Sequence, residues 1–256
     1  MPAHKDKLLI DRVAGYLAEN SIDFTEENLI IRNIKARKEG KEFTIEENIK
    51  GLVYALLSNQ RKWSGIAPKL EQIDNLFFNY DKDKILGMPA EYFCEGIFSL
   101  KCGNIATKKQ MMSLKHNIDM LMRIASEYGS LDSFYESAPA HVIAKKLSYG
   151  KYKLKHVGYT LAWEFLRNMG IDGAKPDLHM RRIFGRERLG YARSPIATED
   201  EVIGIVDDIS RNTNYLKSYI DSVLWCYCAD GYGEVCTAEP KCHRCVIKEY
   251  CNYPSA

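Results

Sequence analysis

Apolar side chains recur at helical spacing from one end of this chain to the other, and that pattern excludes most architectures before any motif is read. Leu8, Leu9, Val13, Ala14 and Leu17 form one such face, and Ile118, Leu121, Met122 and Ala125 form another that stops at Gly129. Thr44, with Glu47 three residues on, makes a capping box that opens a helix through Ile49, Leu52, Val53, Leu56 and Leu57 to about Arg61. Thr198 with Glu201 repeats the device ahead of Val202, Ile205, Val206 and Ile209. Only 28–34 leaves strand and helix both open, and neither an internal repeat nor a low-complexity linker interrupts the pattern. The expectation is an all-α fold. With 256 residues, 46% hydrophobic and 27% charged, the chain can bury a proper core as one large domain or two small ones. No run approaches the roughly 18 apolar residues that a membrane span needs. The opening MPAHKDKLLI lacks the apolar core of a signal peptide, so a cytoplasmic protein with no membrane partner is expected.

Charge is unevenly placed. The whole chain carries a net +2, yet 145–193 holds twelve Lys and Arg against four Asp and Glu. One basic segment in an otherwise acidic molecule suits a phosphate-binding face as well as a solvated surface.

Four of the eight cysteines, Cys236, Cys242, Cys245 and Cys251, read C-x5-C-x2-C-x5-C. Such spacing lets four thiolates converge on one metal centre, and disulfides are disfavoured where thiols are kept reduced. By spacing alone a zinc ribbon and an iron-sulfur cluster are both open. Cys226 and Cys228 lie in an apolar helical stretch and read as buried thiols, and Cys94 and Cys102 as structural ones.

Upstream, LKHVGYTLAWEFLRNMGIDGAKPDLHM begins at Leu154. A short turn at His156, Val157 and Gly158 precedes a helix with apolar Leu161, Ala162, Phe165, Leu166 and Met169, stopped by Gly170. Such a turn aims backbone N–H groups at an approaching phosphate, and Gly158 removes the side chain that would block it. Asp177 then sits where it would cap the next helix, accepting backbone N–H bonds at the positive end of the helix dipole.

Hairpin, helix, loop, aspartate and four-cysteine loop, in this order, resemble the helix-hairpin-helix (HhH-GPD) DNA glycosylase superfamily of the endonuclease III and MutY type. The resemblance runs from about Ile49 to Cys251. It implies two helical domains with a cleft between them: a helical barrel over 44–147, and a second domain of 1–43 plus 148–256 carrying the hairpin and a C-terminal [4Fe-4S] loop. It favours that cluster over zinc on Cys236, Cys242, Cys245 and Cys251, and implies a monomer acting on double-stranded DNA, nucleoid-associated in a prokaryote. The Leu56 to Gln60 stretch resembles the family's helix end whose glutamine fills the gap left by an extruded base. The implied DNA contacts are Asn59, Gln60, Lys155, His156, Val157, Gly158, His179 and Arg181.

The implied chemistry is base-excision repair: an extruded damaged or mispaired base, whether a purine, an alkylated base or mismatched adenine, is released while Asp177 stabilises the cationic sugar. Departures from the family pattern set the subtype. Bifunctional members carry a lysine where this chain has Thr160, and a hydroxyl cannot form the Schiff base of strand cleavage, so a monofunctional enzyme is expected unless Lys153 or Lys155 substitutes. Thr160 matches the small hydroxyl residue of the adenine glycosylases, but their acid four residues before the glutamine is here Leu56. His156 replaces the first hairpin glycine, and the cysteine loop is one residue short. The alternatives are a bifunctional glycosylase/lyase and a non-catalytic iron-sulfur DNA-binding protein. Trp63 reads as packing or base stacking, Arg182 as phosphate contact or plain surface, and Glu164 as a solvated acid.

Overall fold

The computed structural model describes residues 2–22 and 29–254. Among them every regular element is helical, with no strand. The α-helices are α1 (Pro2–Glu19), α2 (Leu29–Lys38), α3 (Ile45–Leu57), α4 (Leu70–Leu76), α5 (Lys82–Gly87), α6 (Ala90–Ser99), α7 (Thr107–Met112) and α8 (Leu114–Tyr128). They continue as α9 (Leu131–Glu136), α10 (Ala140–Ser148), α11 (Tyr159–Asn168), α12 (Leu178–Phe184), α13 (Glu199–Thr213) and α14 (Lys217–Cys228).

Both capping boxes form. Thr44 Oγ1 accepts from Glu47 N at 3.3 Å while Glu47 Oε2 accepts from Thr44 N at 2.9 Å, and Thr198 and Glu201 repeat the exchange at 3.1 and 2.8 Å. The stretch 28–34, open between strand and helix in the sequence, is helical from Leu29 onward, and Asn28 lies outside the described residues. Ile30, Ile31 and Ile34 are buried there, the spacing of a helix face and not of a strand. In α8 the buried face is Ile118, Leu121 and Ile124, so the predicted Met122 is exposed and Ala125 only half-buried. The helix starting at Ile45 ends at Leu57, short of Arg61, for a reason that matters to the site.

Contacts divide the chain into two compact units, one of 1–34 with 172–256 and one of 35–171. Sequence reading placed the divisions after 43 and after 147. The stretch 148–171 clusters with the second unit because α11 packs on α3 and α10. Gly51 permits that approach: a Cβ there would lie 2.6 Å from Met169 Sδ, and Asn168 Nδ2 donates to Gly51 O at 2.9 Å. In the first unit α1 packs on α13 and α14, burying Leu9, Ile10, Val13 and Leu17 with Val202, Val206, Ile220 and Leu224. Each fully buried aliphatic side chain contributes about 1.5–3 kcal/mol.

Candidate functional site

The hairpin lies wholly in the unit of 35–171. It leaves α10 through a 3-10 turn, Gly150–Tyr152, and is held at both ends. Lys151 Nζ and Tyr152 Oη each reach Glu127 Oε2 at 2.6 Å, and Arg123 Nε meets its other oxygen at 2.9 Å. Lys151, then Tyr152 and Arg123, hold the Glu127 carboxyl down at about 2, so this lysine is committed within the protein. Nearer the tip, the fully buried Asn117 of α8 takes both backbone polar groups of Lys155: its Oδ1 accepts from Lys155 N at 2.7 Å and its Nδ2 donates to Lys155 O at 3.0 Å.

His156 at the tip has φ +60, the left-handed conformation otherwise favoured by glycine and one that histidine tolerates better than most residues. Val157 buries its side chain and anchors the turn. Gly158 is the N-cap of α11 with no side-chain cap, and a Cβ built on it would meet nothing within 4 Å. No neighbour in the chain requires glycine here. The open space is available to a ligand approaching the helix start, where N–H groups lack intrahelical acceptors. Ser148, Tyr149, Lys153, Lys155, His156, Val157 and Gly158 line an open concavity of about 480 Å³ that holds two lysines and no acid. Thr160, half-buried, sits in the first turn of α11.

At the far end of α3, Asn59 is half-buried and Gln60 exposed, in a turn and not on the helix. Gln60 has φ +52, so the helix cannot run on to Arg61. Sequence reading passed over Arg61 and Ile105. The Arg61 guanidinium folds back on the helix terminus, and Ile105, 92% exposed, lies next to Asn104, whose Nδ2 donates to Asn59 O at 2.9 Å. Trp63 packs edge-on to Tyr54, the packing alternative. Glu164 departs from the expected solvated acid: it pairs with the buried Arg167 at 3.0 Å and is itself 14% exposed.

Asp177 lies in the other unit, and its surroundings are built by α14. The segment 172–177 runs beside that helix and is tied to it at Asp172, Gly173, Lys175 and Asp177. Asp172 accepts from Lys217 N and Ser218 N at 3.2 and 2.9 Å, Ser218 Oγ donates to Gly173 O at 2.9 Å, and the buried Asp221 accepts from Lys175 N at 2.9 Å. Trp225 completes the series by donating its indole N–H to Asp177 Oδ2 at 3.0 Å. The other oxygen, Oδ1, caps α12 as predicted, accepting from His179 N at 2.9 Å and Met180 N at 3.2 Å. Three N–H donors from two helices thus fix a half-buried carboxylate.

Of the flanking candidates, His179 rests edge-on against Trp225 with its Nδ1 buried and without a hydrogen-bond partner. Burial pushes its pKa below 6.5, outweighing the charge of Asp177, so it is a neutral group at pH 7. Arg181 Nε donates to Ala197 O at 2.7 Å, which fixes the base of its guanidinium.

Cys236, Cys242, Cys245 and Cys251 are all half-buried, and Cys226 and Cys228 are buried as expected. Among the described residues no group of three or more His, Cys, Asp or Glu is placed to hold a metal ion. Cys236 instead takes a hydrogen bond from Cys228, which favours its thiolate and raises the Cys228 thiol, and the charge of Asp177 also reaches Cys228. Burial raises Cys251, which feels both Cys236 and Cys245.

No protein-family model matches the sequence, and no curated protein does. Among solved structures, the fold is similar to that of a Methanocaldococcus jannaschii 8-oxoguanine glycosylase/lyase, in its complex with a 15mer DNA containing 8-oxoguanine. The identity is 23% and the TM-score 0.57, over 86% of this chain and 96% of that one. A second structure from that organism, of its 8-oxoguanine DNA glycosylase, gives 23% and 0.55 over 86% and 92%. At that identity the likeness concerns the fold.

Proposed function

We propose that this protein is a base-excision-repair DNA glycosylase that hydrolyses the N-glycosidic bond of a damaged or mispaired base and lacks the strand-nicking lyase step. The observation that carries the reading is the Asp177 carboxylate, fixed by Trp225 and by the start of α12. Glycosidic cleavage builds positive charge on the deoxyribose, so an anion fixed beforehand stabilises the transition state more than the ground state. Water oxygen bonds to C1′, the bonding electrons leave with the base, and the base nitrogen gains a proton. With its oxygens already engaged by N–H donors, Asp177 acts chiefly through its charge and its hold on the water.

The hairpin supplies the grip on the DNA backbone. Its uncapped helix start, its open Gly158 and its lysines suit a phosphate. Gln60 and Ile105, both exposed, are the side chains that would enter the base stack when a nucleotide leaves it. Asn59 supports that surface, and in the other unit Arg181 would meet the DNA backbone while His179 stays neutral beside Asp177. Leu56 is fully buried, so no acid protonates the leaving base from that position, which favours leaving groups that are already activated. The structurally similar archaeal enzyme makes 8-oxoguanine the first lesion to test.

Thr160 offers no amine, which is the ground for a hydrolytic reaction. Exposed Lys153 and Lys155 in the hairpin concavity favour the bifunctional reading as the second choice. A four-iron cluster on Cys236, Cys242, Cys245 and Cys251 follows from the family resemblance, since their spacing alone suits zinc equally, and it would take no part in bond breaking. The partner is duplex DNA, and the protein acts as a cytoplasmic monomer.

The test is a panel of duplexes, each with one lesion or mismatch, scored for abasic sites with and without borohydride. Base release with no nicked strand and no trapped adduct is expected. Nicking with a trapped adduct replaces this reading with the lyase, and no release from any duplex leaves a DNA-binding protein.

A further inference from the structure

The turn that presents Gln60 and the loop that presents Ile105 belong to separate stretches of the chain, and one guanidinium joins them. Arg61 Nη1 donates to Leu56 O, Leu57 O and Asn59 O at 3.0, 3.2 and 3.1 Å, a positive charge on the negative end of α3. Its Nη2 reaches forward to Thr107 Oγ1 at 2.6 Å and Gln110 Oε1 at 3.3 Å. Both acceptors are buried on α7, and Gln110 Nε2 returns to Leu56 O at 3.0 Å. The same Thr107 hydroxyl accepts from Asn104 N at 2.8 Å, and Asn104 Nδ2 crosses back to Asn59 O at 2.9 Å and Gln60 O at 3.4 Å. A closed circuit of hydrogen bonds therefore runs from α3 through Arg61 to Thr107, along to Asn104, and back to the residue beside Gln60.

Within that frame Gln60 and Ile105 both present exposed side chains. Gln60 is held in a left-handed conformation that costs about 1 kcal/mol and persists only where surroundings impose it. Burial brings the half-buried Arg61 guanidinium down to about 10 and covers its Nε.

We propose that Arg61 is a positioning residue: it locks the Gln60 turn and the Ile105 loop into one rigid two-pronged probe, ready to enter the duplex as the target nucleotide leaves it. The inference rests on the glycosylase reading given above. Pre-ordering both prongs avoids the entropic cost of fixing two loops at the moment of insertion. Arg61 itself touches neither base nor phosphate.

The experiment compares wild type with Arg61→Met, which removes every donor, and Arg61→Lys, which keeps the charge without the fork. Affinity is measured for an intact duplex and for the same duplex with a tetrahydrofuran abasic analogue, and 2-aminopurine fluorescence reports extrusion. For Arg61→Met, intact-duplex affinity is expected to stay within about twofold, while preference for the abasic duplex falls roughly tenfold or more and extrusion slows by a similar factor. Arg61→Lys should recover part of both. Should Arg61→Met fail to fold, Asn104→Ala breaks the same circuit at an accessible point and should lower the preference about threefold. Undiminished preference in the variants overturns the inference, as does an equal loss on both duplexes, which would make Arg61 an ordinary contact or a fold determinant. A wild type with no preference for the abasic duplex removes the glycosylase reading itself, a separate outcome.

Discussion

Asp177→Asn is the sharpest perturbation because its effects on rate and on stability arise from different neighbours. Removing a full charge about 4 Å from a developing sugar cation, at an effective dielectric of about 20, costs about 4 kcal/mol, or a rate loss of roughly a thousandfold. Stability changes by another route. The new carboxamide can keep its oxygen on His179 N and Met180 N, since asparagine is a good helix cap, but its NH2 then occupies the place of Oδ2 and faces the Trp225 indole N–H across 3.0 Å. Two donors meet and one hydrogen bond is lost, for a cost of about 1–2 kcal/mol and a melting temperature lower by a few degrees. Adding Trp225→Phe removes the opposing donor, so the double variant should regain part of the lost stability while its rate stays down about a thousandfold. Single-turnover base release and thermal unfolding on wild type, Asp177→Asn, Trp225→Phe and the double variant measure both quantities. A rate within about tenfold of wild type for Asp177→Asn, or a rate restored in the double variant, refutes the charge-based role.

Other consequences follow from neighbouring contacts. Burial lowers the His179 pKa, so its contribution to stability is present above pH 6.5 and declines as pH falls below that value toward the depressed folded pKa; His179→Gln should flatten the denaturation profile there, and an unchanged slope would mean that the imidazole is not desolvated. Asn117→Ala removes both hydrogen bonds that pin Lys155. It should destabilise the protein by about 2 kcal/mol and weaken duplex binding severalfold. The salt dependence should hold, because no cation is lost, and a changed slope would place Asn117 in a different role. Iron and sulfide analysis of protein purified without oxygen should find about four of each per chain with absorbance near roughly 400 nm, whereas stoichiometric zinc would replace the cluster and metal-free protein would remove it.

What the sequence made legible here was local. Thr44 with Glu47, Thr198 with Glu201, and Asp177 with the helix after it are devices whose two halves lie within three residues, so residue type and spacing suffice to read them. The buried face of α11 was equally readable, because its apolar side chains repeat at the helical period. The residues that orient the candidate site were not. Trp225 reaches Asp177 across 48 positions, and in its own stretch it looks like any apolar residue of a buried helix. Arg61 meets Thr107 and Gln110 across 46 and 49 positions, and a lone arginine after a helix carries no sign that its guanidinium turns back. The α8 face slipped for a related reason: Met122 and Ile124 are both apolar, and only tertiary packing decides which of them is covered. Sequence pattern therefore identifies the groups proposed to do chemistry, since type and spacing mark them. The groups that aim them are chosen by the fold, because a hydrogen bond closed at long range leaves no local trace. Substituting the aiming residues, Trp225 and Arg61, is accordingly the stricter test of a function read from the acting ones.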